Sequence, residues 1–281
     1  MTSWIPEFRQ EILTEGKALY RDMPWRYLDD AYGVLVSEVM LQQTQVSRVI
    51  QRWGSWMKRF PTVDALAAAD RASVLEEWQG LGYNRRALNL KVACETCSRD
   101  FAGQLPGCED DLLALPGVGP STAAGVMAFA YDEPAVYLET NVRAVFIHRF
   151  FPEETKVPDK VLVPLVREAC PEQDVRTWYY ALLDCGAHLK ASLGRLADPS
   201  RRSSAYQRQS AFEGSHRQKR AELLRIVLVT PGISREDAFA ALVAQEVRAG
   251  REEPAMGEVA TIVEELIREG FLTCENDRLR P

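Results

Sequence analysis

Between residues 33 and 190 apolar side chains recur every three to four positions and almost never alternate. That spacing predicts helices over 33–53, 63–69, 71–78, 85–101, 109–114, 120–131, 141–150, 159–169 and 174–190. Gly and Pro punctuate them, in FPTV (60–63), GLGY (80–83) and PGVGP (116–120). The expected fold class is therefore all-α. At 281 residues, 46% of them hydrophobic and 26% charged, the chain can fill one large or two modest cores.

The last third reads differently. Residues 195–216 are rich in Arg and Ser and lack periodicity, so a basic linker is expected at 195–215. From 216 the chain resumes with RQKRAELLRIVL, then a helix N-capped by Ser234, then MGEVATIVEELIREG ended by Gly270. FLTCENDRLRP alternates as a short hairpin around Asn276 and Asp277. Three helices and a hairpin make a small winged-helix-like module over 216–281. Its third helix carries Glu258, Glu264, Glu265 and Glu269 against Arg268, which phosphates would disfavour. A packing or protein-contact role for this acidic module is expected instead.

The net charge is −6, but it is unevenly spread. Residues 195–225 hold eight Arg or Lys against three acids, and 230–281 hold six Arg against eleven acids. A basic connector suits a phosphate partner as well as it suits a solvated loop. No apolar run reaches the ~20 residues of a membrane span, and the amphipathic start MTSWIPEFRQEILTEG lacks a basic n-region, so a cytoplasmic protein is expected. Of six cysteines only Cys94 and Cys97 lie close, and a lone CxxC on a helical segment is a poor metal signature.

Four stretches carry candidate chemistry. LPGVG (115–119) joins two helices, and the second presents unpaired N–H groups at its start, as an anion site does. Gly117 and Gly119 are expected to supply left-handed backbone there. In GVLVSEVMLQQTQVSRVI (33–50), Glu38, Gln42 and Gln45 form one polar stripe on an otherwise apolar helix. The stripe fits either a solvent face or a buried acid of raised pKa that serves as a general acid. WQGLGYNRRALNL (78–90) sets Tyr83 on a Gly loop before Arg85 and Arg86, which suits a wedge into a base stack with phosphate contacts, or a core tyrosine at a helix start. In YLETNVRAV (137–145), Glu139 precedes a helix start that favours negative charge anyway.

MPWR (23–26), SEVMLQQTQV (37–46), FPTV, GLGY, LPGVGPSTA (115–123) and the ETNVRAV helix, in this order, resemble the helix-hairpin-helix (HhH-GPD) DNA glycosylases. The nearest likeness is to the MutY-type adenine branch, followed by endonuclease III. The resemblance covers roughly 20–190 and implies a two-lobed fold over 1–194. One lobe would be six helices at about 31–135, and the other the N-terminal helix with 136–194. It further implies a nucleoid-associated enzyme of base excision repair that flips a mispaired or damaged base out of double-stranded DNA.

By the same resemblance Glu38 protonates the leaving base and Glu139 steadies the sugar cation. Tyr131, in AFAYDEP, assists beside the sugar, and Asn141 orients the site. DNA contacts fall to Gln42, Gln43, the wedge Tyr83 with Arg85 and Arg86, and the hairpin residues Leu115, Gly117, Val118 and Gly119 with Ser121 and Thr122. Ser121 stands where bifunctional relatives carry a Schiff-base lysine, so a monofunctional enzyme is expected.

Three positions depart from the family pattern. Lys190 replaces the first cysteine ligand of the usual [4Fe–4S] cluster and no Cys lies between 186 and 273, so no cluster is expected. Arg201 and Arg202 are expected to take over its DNA contact, and the hairpin can hold a structural monovalent cation. The tail is too short for a Nudix-like domain that detects 8-oxoguanine. Glu139 replaces the usual aspartate. Adenine opposite G or 8-oxoguanine is the expected target. Thymine, uracil or another damaged base is the alternative, and a catalytically silent DNA-binding protein the contrasting class.

Overall fold

The structure, a computed structural model, describes residues 4–28, 30–208 and 211–281. In chain order the first helices are α1 (Ile5–Ala18), α2 (Ala31–Leu41), α3 (Val46–Arg59), α4 (Val63–Ala68), α5 (Arg71–Glu77), α6 (Arg85–Asp100) and α7 (Glu109–Ala114). They are followed by α8 (Pro120–Ala130), α9 (Thr140–Phe150), α10 (Asp159–Ala169), α11 (Val175–Ala197), α12 (His216–Val229), α13 (Arg235–Arg248) and α14 (Met256–Arg268). The fold class is all-α, as expected. The chain forms two compact units, Met1–Ala68 with Asn89–Gln207, and Ala69–Leu88 with Arg208–Pro281. Residues 69–88 thus group with the tail, whereas the sequence set them inside a lobe over 31–135.

In the first unit, α2 and α8 are apolar on nearly every side and bury each other. Asp30 caps α2 through the Tyr32 and Gly33 amides. α11 is the spine against which α1 and α9 lie. α1 approaches so closely that a Cβ on Gly16 would sit 2.4 Å from that of Ala181. The MPWR segment is tied to α11 by Arg26, whose guanidinium makes a fork of 2.7 and 2.8 Å with the buried Asp184 carboxylate.

Two sequence expectations need correction here. The helix expected over 33–53 is two helices. Gln42 caps the end of α2, Gln43 is left-handed (φ 53°), and the Thr44 amide closes a turn on the Leu41 carbonyl at 3.3 Å. Gln45 caps the start of α3, so Gln42 and Gln45 do not extend a stripe from Glu38. Apolar residues on both flanks stay in helical phase, and periodicity therefore passes over the turn.

The linker expected at 195–215 is ordered in its first half. α11 runs on to Ala197 through a non-helical Gly194 (φ 71°, ψ 174°), and a 3₁₀ turn follows at Pro199–Arg202. Ser203 bridges to Val157, and the Val157 amide donates to the Arg202 carbonyl at 2.7 Å. The contacts that fold this stretch are backbone and guanidinium hydrogen bonds, which leave no periodic trace.

In the second unit, α12, α13 and α14 pack around Leu223, Leu224, Val227, Leu242, Ile262 and Leu266, joined by Leu75 and Leu88. Ser215 and Ser234 cap α12 and α13. Strands β1 (Ile233–Ser234), β2 (Thr273–Glu275) and β3 (Arg278–Arg280) form an antiparallel sheet in the order β1–β3–β2. Asn276 and Asp277, both left-handed, make the hairpin turn between β2 and β3.

The acids of α14 are not a bare face. Lys219 holds Glu258 at 2.8 Å, Arg220 holds Glu265 and Glu269 at 2.6 and 3.0 Å, and Arg235 holds Glu264 at 2.5 Å. No helix among the described residues is long and apolar enough to cross a membrane.

Candidate active site

Glu38 projects from α2 toward α8 at Gly125. A Cβ on that glycine would lie 2.5 Å from Glu38 Oε2 and 3.0 Å from the Tyr137 ring. The absent side chain therefore makes the space that the carboxyl fills. The Tyr137 hydroxyl donates a hydrogen bond to Glu38. Behind it Phe129 meets Tyr137 edge-on at 5.0 Å and stacks on Tyr180 at 4.6 Å. Burial among these aromatics pushes the Glu38 carboxyl up to about 8, the Tyr137 bond pulls it down, and the Glu139 charge raises it further. Glu38 is therefore mainly protonated at neutral pH while part of its surface stays open. That is the condition of a general acid.

Glu139 is the N-cap of α9. Its Oε1 accepts from the Asn141 amide at 2.6 Å and the Val142 amide at 3.3 Å. Burial raises its pKa, and those two amides, Lys190 and Arg143 all act against the rise. Glu139 is thus both a helix cap and an acid within electrostatic range of Glu38. Lys190 Nζ donates to Asn141 Oδ1 at 3.3 Å, which places one cation over the start of α9. α11 passes so near this point that a Cβ on Gly186 would sit 2.3 Å from the Asn141 carbonyl.

Tyr131 is placed otherwise than expected. It caps the end of α8 and its hydroxyl donates to the Leu105 carbonyl at 3.0 Å. The tyrosine at Glu38 is Tyr137, which sequence reading passed over as part of an apolar run. Only the approach of α8 to the 135–139 strand-like segment singles it out. Gly125, Gly186 and the Arg26–Asp184 pair were likewise missed, since each matters through a neighbour distant in sequence.

In the hairpin, Leu115 and Val118 are buried and the Val118 amide donates to the Leu115 carbonyl at 3.1 Å. Gly117 is left-handed (φ 78°), and a Cβ there would strike Asn89. Gly119 is corrected: its φ is −96°, it caps α8, and an added Cβ would meet open space. Its value is an unobstructed backbone at a helix start, followed by exposed Ser121. Gln42 Nε2 donates to Thr122 Oγ1 at 3.0 Å, so these two expected DNA contacts join the QQTQ turn to α8.

Arg202 is spent internally, on the carbonyls of Phe151, Pro152 and Glu154 at 2.5, 2.9 and 3.1 Å. Arg201 is exposed and donates to the Arg195 carbonyl. In the second unit, Tyr83 is left-handed (φ 48°) and 43% exposed. Arg86 lies over the Tyr83 and Trp78 rings and donates to the Leu81 and Gly82 carbonyls. Arg86 therefore braces its own loop, and burial pulls its guanidinium down to about 10. Arg85 lies over Phe271 and 3.6 Å from Glu269. These contacts give Arg85 and Arg86 a part in supporting the loop.

A four-cysteine cluster does not fit this chain. Cys185 is buried, with its thiol on the Ile12 carbonyl, and no Cys lies from 186 to 273. The Lys190 position holds an amine engaged with Asn141. Among the described residues no three His, Cys, Asp or Glu are grouped to hold a metal ion.

Residues 36–167 match the family described as HhH-GPD superfamily base excision DNA repair protein. The adenine DNA glycosylase of Mycolicibacterium smegmatis is 35% identical over 235 residues, which cover 77% of this chain and 79% of that protein. That of Mycobacterium tuberculosis is 35% identical over 225 residues, 74% of each. A thermostable thymine-DNA glycosylase structure aligns with a TM-score of 0.58 at 25% identity, covering 65% of this chain and 85% of that one. A non-covalent endonuclease III–DNA complex aligns at 0.54 and 17% identity, over 63% and 83%, a likeness of fold. Paired carboxyls on α2 and α9, a helix-hairpin-helix turn before α8 and these matches converge: the chain belongs to the HhH-GPD superfamily of base excision DNA repair proteins.

Proposed function

We propose that the chain is a monofunctional adenine DNA glycosylase that hydrolyses the N-glycosidic bond of adenine mispaired with G or 8-oxoguanine in double-stranded DNA. The observation that carries this reading is the unequal carboxyl pair. Glu38 is held neutral by burial, while at Glu139 burial also raises the pKa but two amides and two cations oppose the rise. Cleavage of the bond from C1′ to the base nitrogen sends its electron pair to the base and leaves positive charge on the sugar. Glu38 gives its proton to the departing base, and Glu139 offsets the sugar charge. Water then bonds to C1′ and loses a proton, which restores Glu38. Asn141 keeps Lys190 beside Glu139.

In this reading the hairpin backbone at Gly117–Gly119, with Ser121, receives a DNA phosphate. Tyr83 enters the base stack, and Arg201 supplies a phosphate contact. No iron–sulfur cluster takes part, a monovalent cation can sit at the hairpin carbonyls, and the enzyme works on the cytoplasmic nucleoid. The adenine choice follows the relatives from two mycobacterial species. Thymine opposite guanine is the second reading, favoured by the likeness to a thymine-DNA glycosylase.

Base release from duplexes carrying 8-oxoG·A, G·A, G·T and G·U separates them. Adenine is expected to be released first, and Glu38→Gln to lower the single-turnover rate by roughly 10²-fold or more with duplex binding retained. Faster release of thymine than adenine selects the second reading. A fully active Glu38→Gln variant removes the acid assignment.

A further inference from the structure

In the second unit three arginines tie the Tyr83 loop and the helices beside it to the tail. Arg71 on α5 donates through Nη2 to the Gly270 carbonyl at the end of α14. Arg85, opening α6, lies 5.0 Å over the Phe271 ring and 3.6 Å from Glu269. Arg217, on the first turn of α12, donates through Nη1 to the Tyr83 hydroxyl at 3.0 Å. Leu75 and Leu88, which bracket the loop in sequence, are buried in the tail's own core. Between them Gly80, Gly82 and Tyr83 are all left-handed. Tyr83 has a side chain and holds this conformation against its backbone preference, so surrounding contacts must impose it.

We infer that the C-terminal unit is the mount of the wedge loop, and that Arg217 is a positioning residue that fixes the Tyr83 ring for entry into the base stack. A ring exposed at a loop tip would otherwise sample several rotamers and lose that freedom each time it enters DNA. Arg86 over its face and Arg217 at its hydroxyl restrict the ring beforehand. This assigns the short tail a task within the repair reaction. Among the basic residues of α12, Arg217 serves the loop while Lys219 and Arg220 bind Glu258, Glu265 and Glu269 of α14 and its end. The inference rests on the reading of Tyr83 as the wedge.

The test measures strand opening by stopped-flow fluorescence of 2-aminopurine beside the mispair, in the full chain, with Tyr83→Ala, Tyr83→Phe, Arg217→Ala, Arg217→Lys and the Tyr83→Phe/Arg217→Ala double variant. Tyr83→Ala is expected to slow opening most. Tyr83→Phe and Arg217→Ala are each expected to slow it roughly three- to tenfold, the double variant no more than either alone, and Arg217→Lys to recover part of the rate. If Tyr83→Ala opens DNA as the wild type does, the wedge reading fails and the inference with it. If Tyr83→Ala is slow while Tyr83→Phe and Arg217→Ala are normal, only the positioning role fails. If the two single effects multiply in the double variant and Arg217→Ala lowers the salt dependence of binding, Arg217 is a phosphate contact and the positioning role also fails.

Discussion

Lys190 does two things with one amine. It fixes the Asn141 amide group at the start of α9, and it lowers the pKa of Glu139 against the upward push of burial. The proposed mechanism needs Glu139 ionised and Glu38 protonated, so the pH profile should be bell-shaped with both limbs set by this pair. Removing the cation leaves burial less opposed, so the Glu139 pKa rises and the acidic limb moves to higher pH. Lys190→Met is expected to show that shift in single-turnover rates, and Lys190→Arg to reverse most of it. An unchanged acidic limb in Lys190→Met would mean that the cation does not act on Glu139. At the same scale, a carboxyl at a helix start was legible in the sequence of 137–145. Of the partners that act on its charge, the Asn141 and Val142 amides and Arg143 lie in that stretch, whereas Lys190 lies forty-nine residues beyond Asn141 and was not legible.

Among elements, the decisive contact is α2 against α8. Both read from sequence as helices, α2 as a largely apolar one, and both are buried. Which residue of α8 faces Glu38 depends on their relative rotation and axial offset, and Gly125 occupies that place. Gly125→Ala makes the experiment direct. Alanine favours a helix interior by up to about 1 kcal/mol, so a site with free space would be stabilised. Here the new methyl would collide with the carboxyl and the Tyr137 ring. We expect displacement of Glu38 and a fall in single-turnover rate of roughly 10²-fold, with helical circular dichroism retained. A variant of normal rate would show that the α2–α8 approach does not set the acid's position. The QQTQ turn teaches the same lesson. Its glutamines share a helical phase with Glu38 in the sequence, yet the left-handed Gln43 ends α2 and sends Gln42 to Thr122.

For the whole molecule, the acidic centre has a cost in stability. The native state keeps a proton on Glu38 up to about pH 8, whereas the unfolded chain releases it near 4.5. Between those values the native state binds more protons, so stability falls as pH rises, by at most about 1.4 kcal/mol per pH unit from this group. Glu38→Gln removes that slope. Urea unfolding should therefore show the variant gaining on the wild type from about pH 5 to about pH 8. A constant difference across that range would place the Glu38 pKa near its ordinary value.

Charge along the chain is also reorganised by folding. The sequence shows a basic stretch followed by an acidic one, which suggested an exposed connector and an acidic contact module. In three dimensions α12 and α14 are neighbours, and much of each charge neutralises the other. Composition and periodicity by themselves determined the all-α class and most helices, and residue types at the run ends marked Ser234 and Gly270, because these depend on residues within one turn or one element, whereas the roles of Glu38 and Glu139 came from the family resemblance. Tertiary structure alone decided that Tyr137 rather than Tyr131 meets Glu38, that Arg202 closes a carbonyl cage, and that residues 69–88 join the tail. Each depends on the packing of segments tens to more than a hundred residues apart, and no local pattern in the chain encodes that distance.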